Sequence, residues 1–450
     1  MKAAVPTDPP SPTSSAPPPE PQWGKRDRNQ VQPEDRAAHC WYRFVLAYPP
    51  HLVRHYLDKM DLTSQHQVLD PFCGTGTTMV ECKKQGIPSI GIEANPMAQF
   101  AGTVKTDWGP DPDVLLQKAD AIYTAADRAI AQHTGELYTL PEPAQKILLK
   151  GSISPQPLHK TLILQQQIRQ QALLLAHRHL TLALAQALIH DISNLRFGPE
   201  VGVRKPKTNA PVLASWRQAV QQMADDLRQL RQHPPTRAHI HPGDARQVRQ
   251  VLTAASIDAV ITSPPYPNEK DYTRTTRLES VLLGFVQNTQ QLRALKQDLL
   301  RSNSRNVYTA DQDDRWVAYH AGIQTIATTI ETQRQALGKT SGFTRLYPRA
   351  VTLYFGGMAR HLAALRHLLR PGAQLAYVVG DQKSYLQVMI RTGQLLGDIA
   401  ESLGYELIGI DLFRTRLASA TQEAMNEEVV QLQWSGRWPD WPYPYGENVL

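Results

Sequence analysis

At 450 residues, with 41% hydrophobic and 20% charged, the chain can bury a sizeable core and has room for two or three domains, or for one domain with large insertions. The 48 Lys and Arg outnumber the 41 Asp and Glu, an excess that favours an anionic partner, nucleic acid first. Three cysteines (Cys40, Cys73 and Cys82) without metal-ligand spacing argue against a disulfide framework or a zinc site and fit a reducing cytoplasm.

Residues 1–36 hold nine of the 34 prolines, balanced charges and little aliphatic content. Such a segment cannot bury enough apolar surface to offset its ordering entropy, so a disordered tail is expected, and Trp23 alone does not make it a docking motif. No apolar run follows Lys2, so no secretory signal is read. From His39 the pattern changes. Apolar residues recur at near-helical spacing from Trp41 to Met60, interrupted at Pro49-Pro50. A short apolar strand, 67–70, then runs into a glycine-rich turn at 71–77. A helix from Thr78 ends at Gly86, and a second strand follows at 89–93. Strand, turn, helix and strand form a βαβ unit, which implies a parallel sheet.

Further strand signals come only at 238–241 and 257–262. Between them, residues 110–237 read as mostly helical, rich in Leu, Ala and Gln. The most apolar stretch, 172–189, is broken by His177, Arg178, His179 and Gln186 and falls short of a membrane span. Residues 280 to about 370 are again largely helical. Strands resume at 374–379, 406–412 and 427–434, the last two as a terminal hairpin. The expected organisation is a tail (1–36), a first catalytic part (37–109), a helical insertion (110–237), a second catalytic part (238–435, interrupted by helices at about 280–370) and a C-terminal tail (436–450).

Two motifs carry chemistry. Asp70-Pro-Phe72-Cys-Gly74-Thr-Gly76-Thr77 ends the first strand and opens a helix; its two glycines let the backbone turn sharply and approach a ligand. Glu93 closes the second strand 19 residues after Gly74, the spacing at which an acidic side chain meets ribose hydroxyls. By itself this is a generic nucleotide turn, and Met79 stands where a dinucleotide fingerprint has its third glycine. Gly338-Lys339-Thr340 looks like the end of a phosphate-binding loop, but Gln333 occupies the place of the required first glycine. The second motif, Ser263-Pro264-Pro265-Tyr266, follows a strand. Consecutive prolines fix φ and remove two backbone donors, leaving carbonyls free to accept. A hydroxyl before them and an aromatic ring after them suit methylation of an exocyclic amine. The lone pair of such an amine is delocalised into its ring, so acceptors must hold its hydrogens while an aromatic clamps the ring. Alone, Ser-Pro-Pro-Tyr can be a plain turn; downstream of a cofactor turn in one sheet it becomes specific.

The first of these motifs resembles motif I of S-adenosylmethionine-dependent methyltransferases. The second resembles motif IV of amino-methyltransferases, where a leading Ser is typical of DNA cytosine-N4 enzymes and Asp or Asn of adenine-N6 enzymes. Tyr48-Pro49-Pro50-His51-Leu52 is similar to the segment closing over the cofactor's methionine end. Gly243-Asp244-Ala245 stands at the family's adenine contact, and Tyr377–Asp381 at its fifth strand. The resemblance implies an α/β fold, a Rossmann-like seven-stranded methyltransferase sheet with two mostly helical insertions. It implies S-adenosylmethionine as cofactor, no metal, and direct transfer to a base flipped out of double-stranded DNA. Cofactor contacts would come from Asp70, Phe72, Gly74, Gly76, Thr77, Glu93, Asp244 and Ala245, and catalysis from Ser263, Pro264, Pro265 and Tyr266. Cytosine N4 is the preferred target, with adenine N6, RNA or a protein glutamine as alternatives. A cytoplasmic enzyme without membrane contact is expected, with room for a restriction endonuclease partner.

Two basic surfaces are candidates for DNA contact. One is Arg204, Lys205 and Lys207, in a loop between helices of the first insertion. The other comprises Arg274, Arg277, Arg301 and Arg305. Phosphate contacts from such residues would position DNA, while Arg and Asn could read base edges.

Overall fold

A computed structural model describes residues 31–438 apart from 43–46, 171–175, 198–200, 269–270, 384 and 418–423. Its strands are Val68–Asp70 (β1), Ser89–Glu93 (β2), Leu195–Arg196 (β3), Gly202–Val203 (β4), Ala238–Pro242 (β5), Ile257–Thr262 (β6), Leu369–Gly380 (β7), Tyr405–Leu417 (β8) and Ala424–Trp434 (β9). Side-chain alternation along these strands fixes the layering. Val68, Ala259, Ile261, Ala376, Val378 and Val429 pack on one face, against Leu52, Val53, Tyr56 and Leu57 of the helix Pro50–Lys59. Leu69, Val260, Leu375, Tyr377, Val379 and Val430 point to the other face, against the helices Tyr347–Leu365 and Thr392–Ser402. Strands apolar on both sides are what a sheet covered by two helical layers requires.

Seven strands form one sheet in the order β5-β2-β1-β6-β7-β9-β8. β5, β2, β1, β6 and β7 are parallel neighbours, and β9 runs antiparallel to both β7 and β8. This is the expected Rossmann-like methyltransferase sheet, closed by the expected terminal hairpin. The chain winds outward from β1 through β2 to β5, then returns to the other side of β1 as β6. That reversal opens a crevice beyond the carboxyl ends of β1 and β6, where open α/β sheets bind ligands.

The insertion between β2 and β5 shares one apolar core with Trp41, Val80, Met97 and Val104 of the first catalytic part, and in it Leu180, Leu184, Trp216, Val220 and Leu227 are fully or almost fully buried. The basic loop expected there is in part a two-residue antiparallel ladder of β3 with β4; residues 198–200 lie outside the described residues. Between β6 and β7, the helix Tyr347–Leu365 is no insertion. It is the crossover that covers the sheet, with Val351, Phe355, Met358 and Leu362 all fully buried.

The expected tail boundary at residue 36 also moves. Residues 1–30, with Trp23, and those beyond 438 lie outside the described residues, but Pro33–Asp35 form a 3-10 turn and Asp35 is 3% exposed. Arg54 donates to Asp35 and to Glu81 at 2.6 Å, and the His39 ring meets Glu81 at 2.7 Å. Burial favours the neutral form of His39, so Arg54 and Lys84 supply the charge opposite Glu81. Burial works to raise the Glu81 carboxyl, but these partners outweigh it and bring it from 4.5 to about 2. Glu81→Gln is expected to cost about 3 kcal/mol at neutral pH, because it removes the buried carboxylate that half-buried Arg54 and Lys84 share and sets an amide in its place. The lowered carboxyl stabilises the fold above pH 4.5, and that contribution is lost as pH falls toward about 2. Urea melts of both proteins across that range should show the difference narrowing; a constant difference would locate the effect elsewhere.

Candidate active site

β1 ends on Asp70, whose carboxylate is fully buried. It accepts from Thr262 Oγ1 at 2.6 Å, from the Tyr48 hydroxyl at 3.0 Å and from the Phe72 N–H at 3.2 Å. Burial raises it to about 6 in spite of these three donors. Asp70 thus ties together the segment before the helix Pro50–Lys59, the glycine turn and the end of β6 that leads into Ser-Pro-Pro-Tyr. Gly76, at φ +84°, opens the helix Thr77–Lys84 in a left-handed conformation that other residues avoid. Its N–H donates to Cys73 O at 2.7 Å.

A cavity of about 250 Å³ lies beyond this turn. Phe72, Gly74, Thr77, Glu93, Asp244 and Ala245 line one part of it. Asp70 and Gly76, expected to contact a cofactor, sit behind the wall instead, where they shape the turn. Glu93 Oε2 accepts the Gly74 N–H at 2.8 Å and Oε1 accepts the Asn95 N–H at 2.7 Å. Burial raises the Glu93 carboxyl to about 7, against the pull of those two amides. The thiol of Cys73 is pushed up by burial, which makes it a packing group and not a nucleophile.

Ser263, Pro264, Pro265 and Tyr266 line the same cavity. Ser263 Oγ spends its proton on Val378 O at 3.1 Å, so its lone pairs remain to accept. The Tyr266 ring lies against Gly380 so closely that a Cβ there would come within 2.9 Å of it. No larger residue at 380 would leave the ring in place. Burial raises the Tyr266 phenol and keeps it neutral.

Several wall residues carry no signal of their own in the sequence. Asn268, Tyr272, Ser302, Asn306, Arg414, Arg416 and Glu427 all line the cavity, beside Tyr48 of the segment expected to close over the cofactor. Arg414 donates to Glu427, and the ladder of β8 with β9 sets the two opposite each other. Behind Asp244, Arg246 donates to both of its carboxylate oxygens at 3.0 Å and to Asp313 at 2.7 Å. His361, held neutral by burial at about 4, lies between Ala245 O and the Tyr377 hydroxyl, each at 2.7 Å, with its ring edge on Phe72.

The basic candidates divide. Arg204, Lys205 and Arg305 are exposed, the last 5.8 Å above the Phe343 ring, while Arg274 is half-buried. Lys207 is tied by its Nζ to Asp191 O at 2.6 Å. Arg277 is bound to Ile147 O and Thr273 Oγ1. Arg301 is 4% exposed, paired with Asp311 and the carbonyls of residues 296, 297 and 299. It braces the loop that carries Ser302 and Asn306 and is not a phosphate contact, a correction to the sequence expectation.

A doubly wound sheet of this order, with a cavity at its switch point, is the Rossmann-like methyltransferase fold. Residues 17–99 match the family model described as DNA methylase. The chain is 24% identical over 435 residues to the type II methyltransferase M.BsoBI of Geobacillus stearothermophilus, covering 87% of this chain and 83% of that one. It is 23% identical over 432 residues to M.AvaI of Nostoc sp., covering 88% and 84%. A 56-residue stretch is 41% identical to M.MjaII of Methanocaldococcus jannaschii, 12% of this chain and 10% of that one. Over most of its length the chain is thus similar to type II DNA methyltransferases.

Proposed function

We propose that the chain is a site-specific DNA methyltransferase acting on the exocyclic amine of a flipped base, cytosine N4 first. The observation that carries this reading is the arrangement of Ser263 and Tyr266 at the wall of a cavity shared with Glu93 and Asp244. A serine in first place of the motif favours cytosine over adenine. Its type II relatives suit the modification half of a restriction pair.

The wall around Glu93 fits an adenosyl cofactor. Space is open where a Cβ on Gly74 would stand, Phe72 offers an apolar face, and each Glu93 oxygen keeps a lone pair for a ribose hydroxyl. Asp244 stands where the family resemblance sets the adenine. S-adenosylmethionine, when bound, supplies an electrophilic methyl group. The chain's own residues do the rest. Ser263 Oγ and the Pro264 carbonyl accept the amine's hydrogens, favouring a tetrahedral nitrogen whose lone pair is no longer shared with the ring. Tyr266 holds the base face-on. A base inside a duplex cannot reach this cavity, so flipping is required.

Incubation of the full chain with unmethylated duplex DNA and labelled cofactor, followed by nucleoside mass spectrometry, tests the reading. N4-methylcytosine is expected. N6-methyladenine would keep the mechanism and correct the base, while label in RNA alone would overturn the substrate. On the basic ribbon, Arg204→Glu with Lys205→Glu is expected to weaken DNA binding and to reduce the slope of log K against log salt by about 2, roughly 0.9 per phosphate contact. An unchanged slope in a fluorescence titration would remove the ribbon from the interface.

A further inference from the structure

We propose that Tyr272 is a recognition residue of the base pocket, a hydroxyl fixed as a pure donor that reads the ring nitrogen beside the target amine. The inference rests on the proposed function and adds to it a contact that neither motif supplies. Tyr272 lines the cavity with Ser263 and Tyr266. Its hydroxyl oxygen accepts the backbone N–H of Tyr266 at 3.2 Å and the Asn268 Nδ2 amide at 3.0 Å. A phenol has one proton to give and two lone-pair positions to receive. With both of the latter taken, this hydroxyl can meet a ligand only by donating.

Its position is fixed from behind as well. Asp271 caps the short turn Tyr272–Arg274 by accepting the Thr273 N–H at 3.0 Å and the Thr273 hydroxyl at 2.7 Å, and it pairs with Lys296. The Thr275 hydroxyl donates to Tyr272 O at 2.7 Å. Asn268, which orients the phenol, is itself held, its N–H donating to Ser302 O at 3.0 Å and its carbonyl accepting from the Tyr385 hydroxyl at 3.0 Å. The phenol is therefore preorganised, and a donor set in advance loses little on meeting its acceptor.

The chemistry of the substrate supplies that acceptor. An aromatic ring carrying a methylatable amine next to a ring nitrogen presents N–H hydrogens and, one atom away, a lone pair. Ser263 and the Pro264 carbonyl face the hydrogens as acceptors, and Tyr272 faces the lone pair as a donor. In cytosine the ring nitrogen is N3. A base whose ring position beside the substituent carries a hydrogen, as in thymine or guanine, would set donor against donor and be rejected.

The test is a cycle of one substitution and one base analogue. Duplexes holding the mapped target with cytosine or 3-deazacytosine at the methylated position are compared under single turnover, using wild type and Tyr272→Phe. Each change alone is expected to slow transfer about tenfold, the scale of one preorganised hydrogen bond, and both together no more than either. The cycle matters because Tyr272→Phe also strips a partner from the Tyr266 N–H, a structural loss that would slow both duplexes equally. Losses that multiply, with normal wild-type transfer to the natural duplex, overturn the donor assignment alone. No transfer by the wild type to any natural duplex overturns the proposed function and this assignment with it. Should the mapped base be adenine, 1-deazaadenine completes the same cycle and is judged by the same coupling.

Discussion

Ser263→Ala is expected to slow methyl transfer about 100-fold under single turnover and to leave cofactor affinity within about twofold. The amine nitrogen of cytosine is a poor nucleophile because its lone pair is shared with the ring. It gains reactivity only as it becomes tetrahedral, and positive charge then grows on its hydrogens. Acceptors fixed at those hydrogens are therefore worth more in the transition state than in the ground state. On the proposed reading Ser263 is such an acceptor: its own proton is committed to Val378 O at 3.1 Å on β7, which leaves the oxygen to accept. Alanine leaves the fold of the motif and the Val378 carbonyl in place and removes one acceptor. Ser263→Thr retains the hydroxyl and should recover most of the rate if the added methyl fits. Tyr266→Ala acts differently, by removing the clamp, and should raise KM for DNA as well as slow the step. Rapid quench with saturating DNA and cofactor separates the two. A Ser263→Ala enzyme within about threefold of wild type would remove Ser263 from the chemistry.

Both motifs were legible because each sits where a strand ends, and strand ends are marked locally: an apolar run, then residues that turn the chain. The same holds for the sheet, whose seven strands were all placed within a few residues except β7 and β8, which extend beyond their apolar centres. What could not be read is the far wall of the cavity. Tyr272, Ser302, Asn306, Arg414 and Glu427 come from a turn, a loop and a hairpin that converge only through the fold, and none has a period or spacing that announces it. Arg301 shows the same limit from the other side. A polar run, Arg301-Ser-Asn-Ser-Arg305-Asn306, reads as a surface, yet Arg301 turns inward to satisfy three carbonyls while Arg305, four residues on, remains exposed. Charge in a sequence gives composition, and burial decides function. In the sequence the helix Tyr347–Leu365 reads as part of an insertion because its apolar residues surround it almost completely, a pattern that helical periodicity cannot assign to one face.

Cofactor affinity is expected to rise with pH and level off above about 7, the value to which burial raises the Glu93 carboxyl. The sign follows from which form can bind. Each Glu93 oxygen already accepts one backbone N–H, from Gly74 and from Asn95, and has one lone pair left over. A carboxylate can thus accept both hydroxyls of a ribose, whereas the protonated acid has lost an acceptor. Below about 7 the ligand-free protein holds a proton that must leave on binding, so affinity should fall up to tenfold per pH unit. Burial of this carboxyl also opposes folding: the raised value favours the native state at low pH, and that advantage is lost as pH rises from 4.5 through about 7. Cofactor hydroxyls would return it, so the site is poised to gain from its ligand. Glu93→Gln should bind more than about tenfold weaker and lose the pH step, because its NH₂ would confront one of the two backbone donors. Titration calorimetry with S-adenosylhomocysteine in buffers of different ionisation enthalpy should find about one proton released near pH 6 and almost none near pH 8. Affinity that is flat from about pH 5.5 to 8.5, with no proton released, would remove Glu93 from the cofactor site and leave the carboxylate as a brace for the glycine turn.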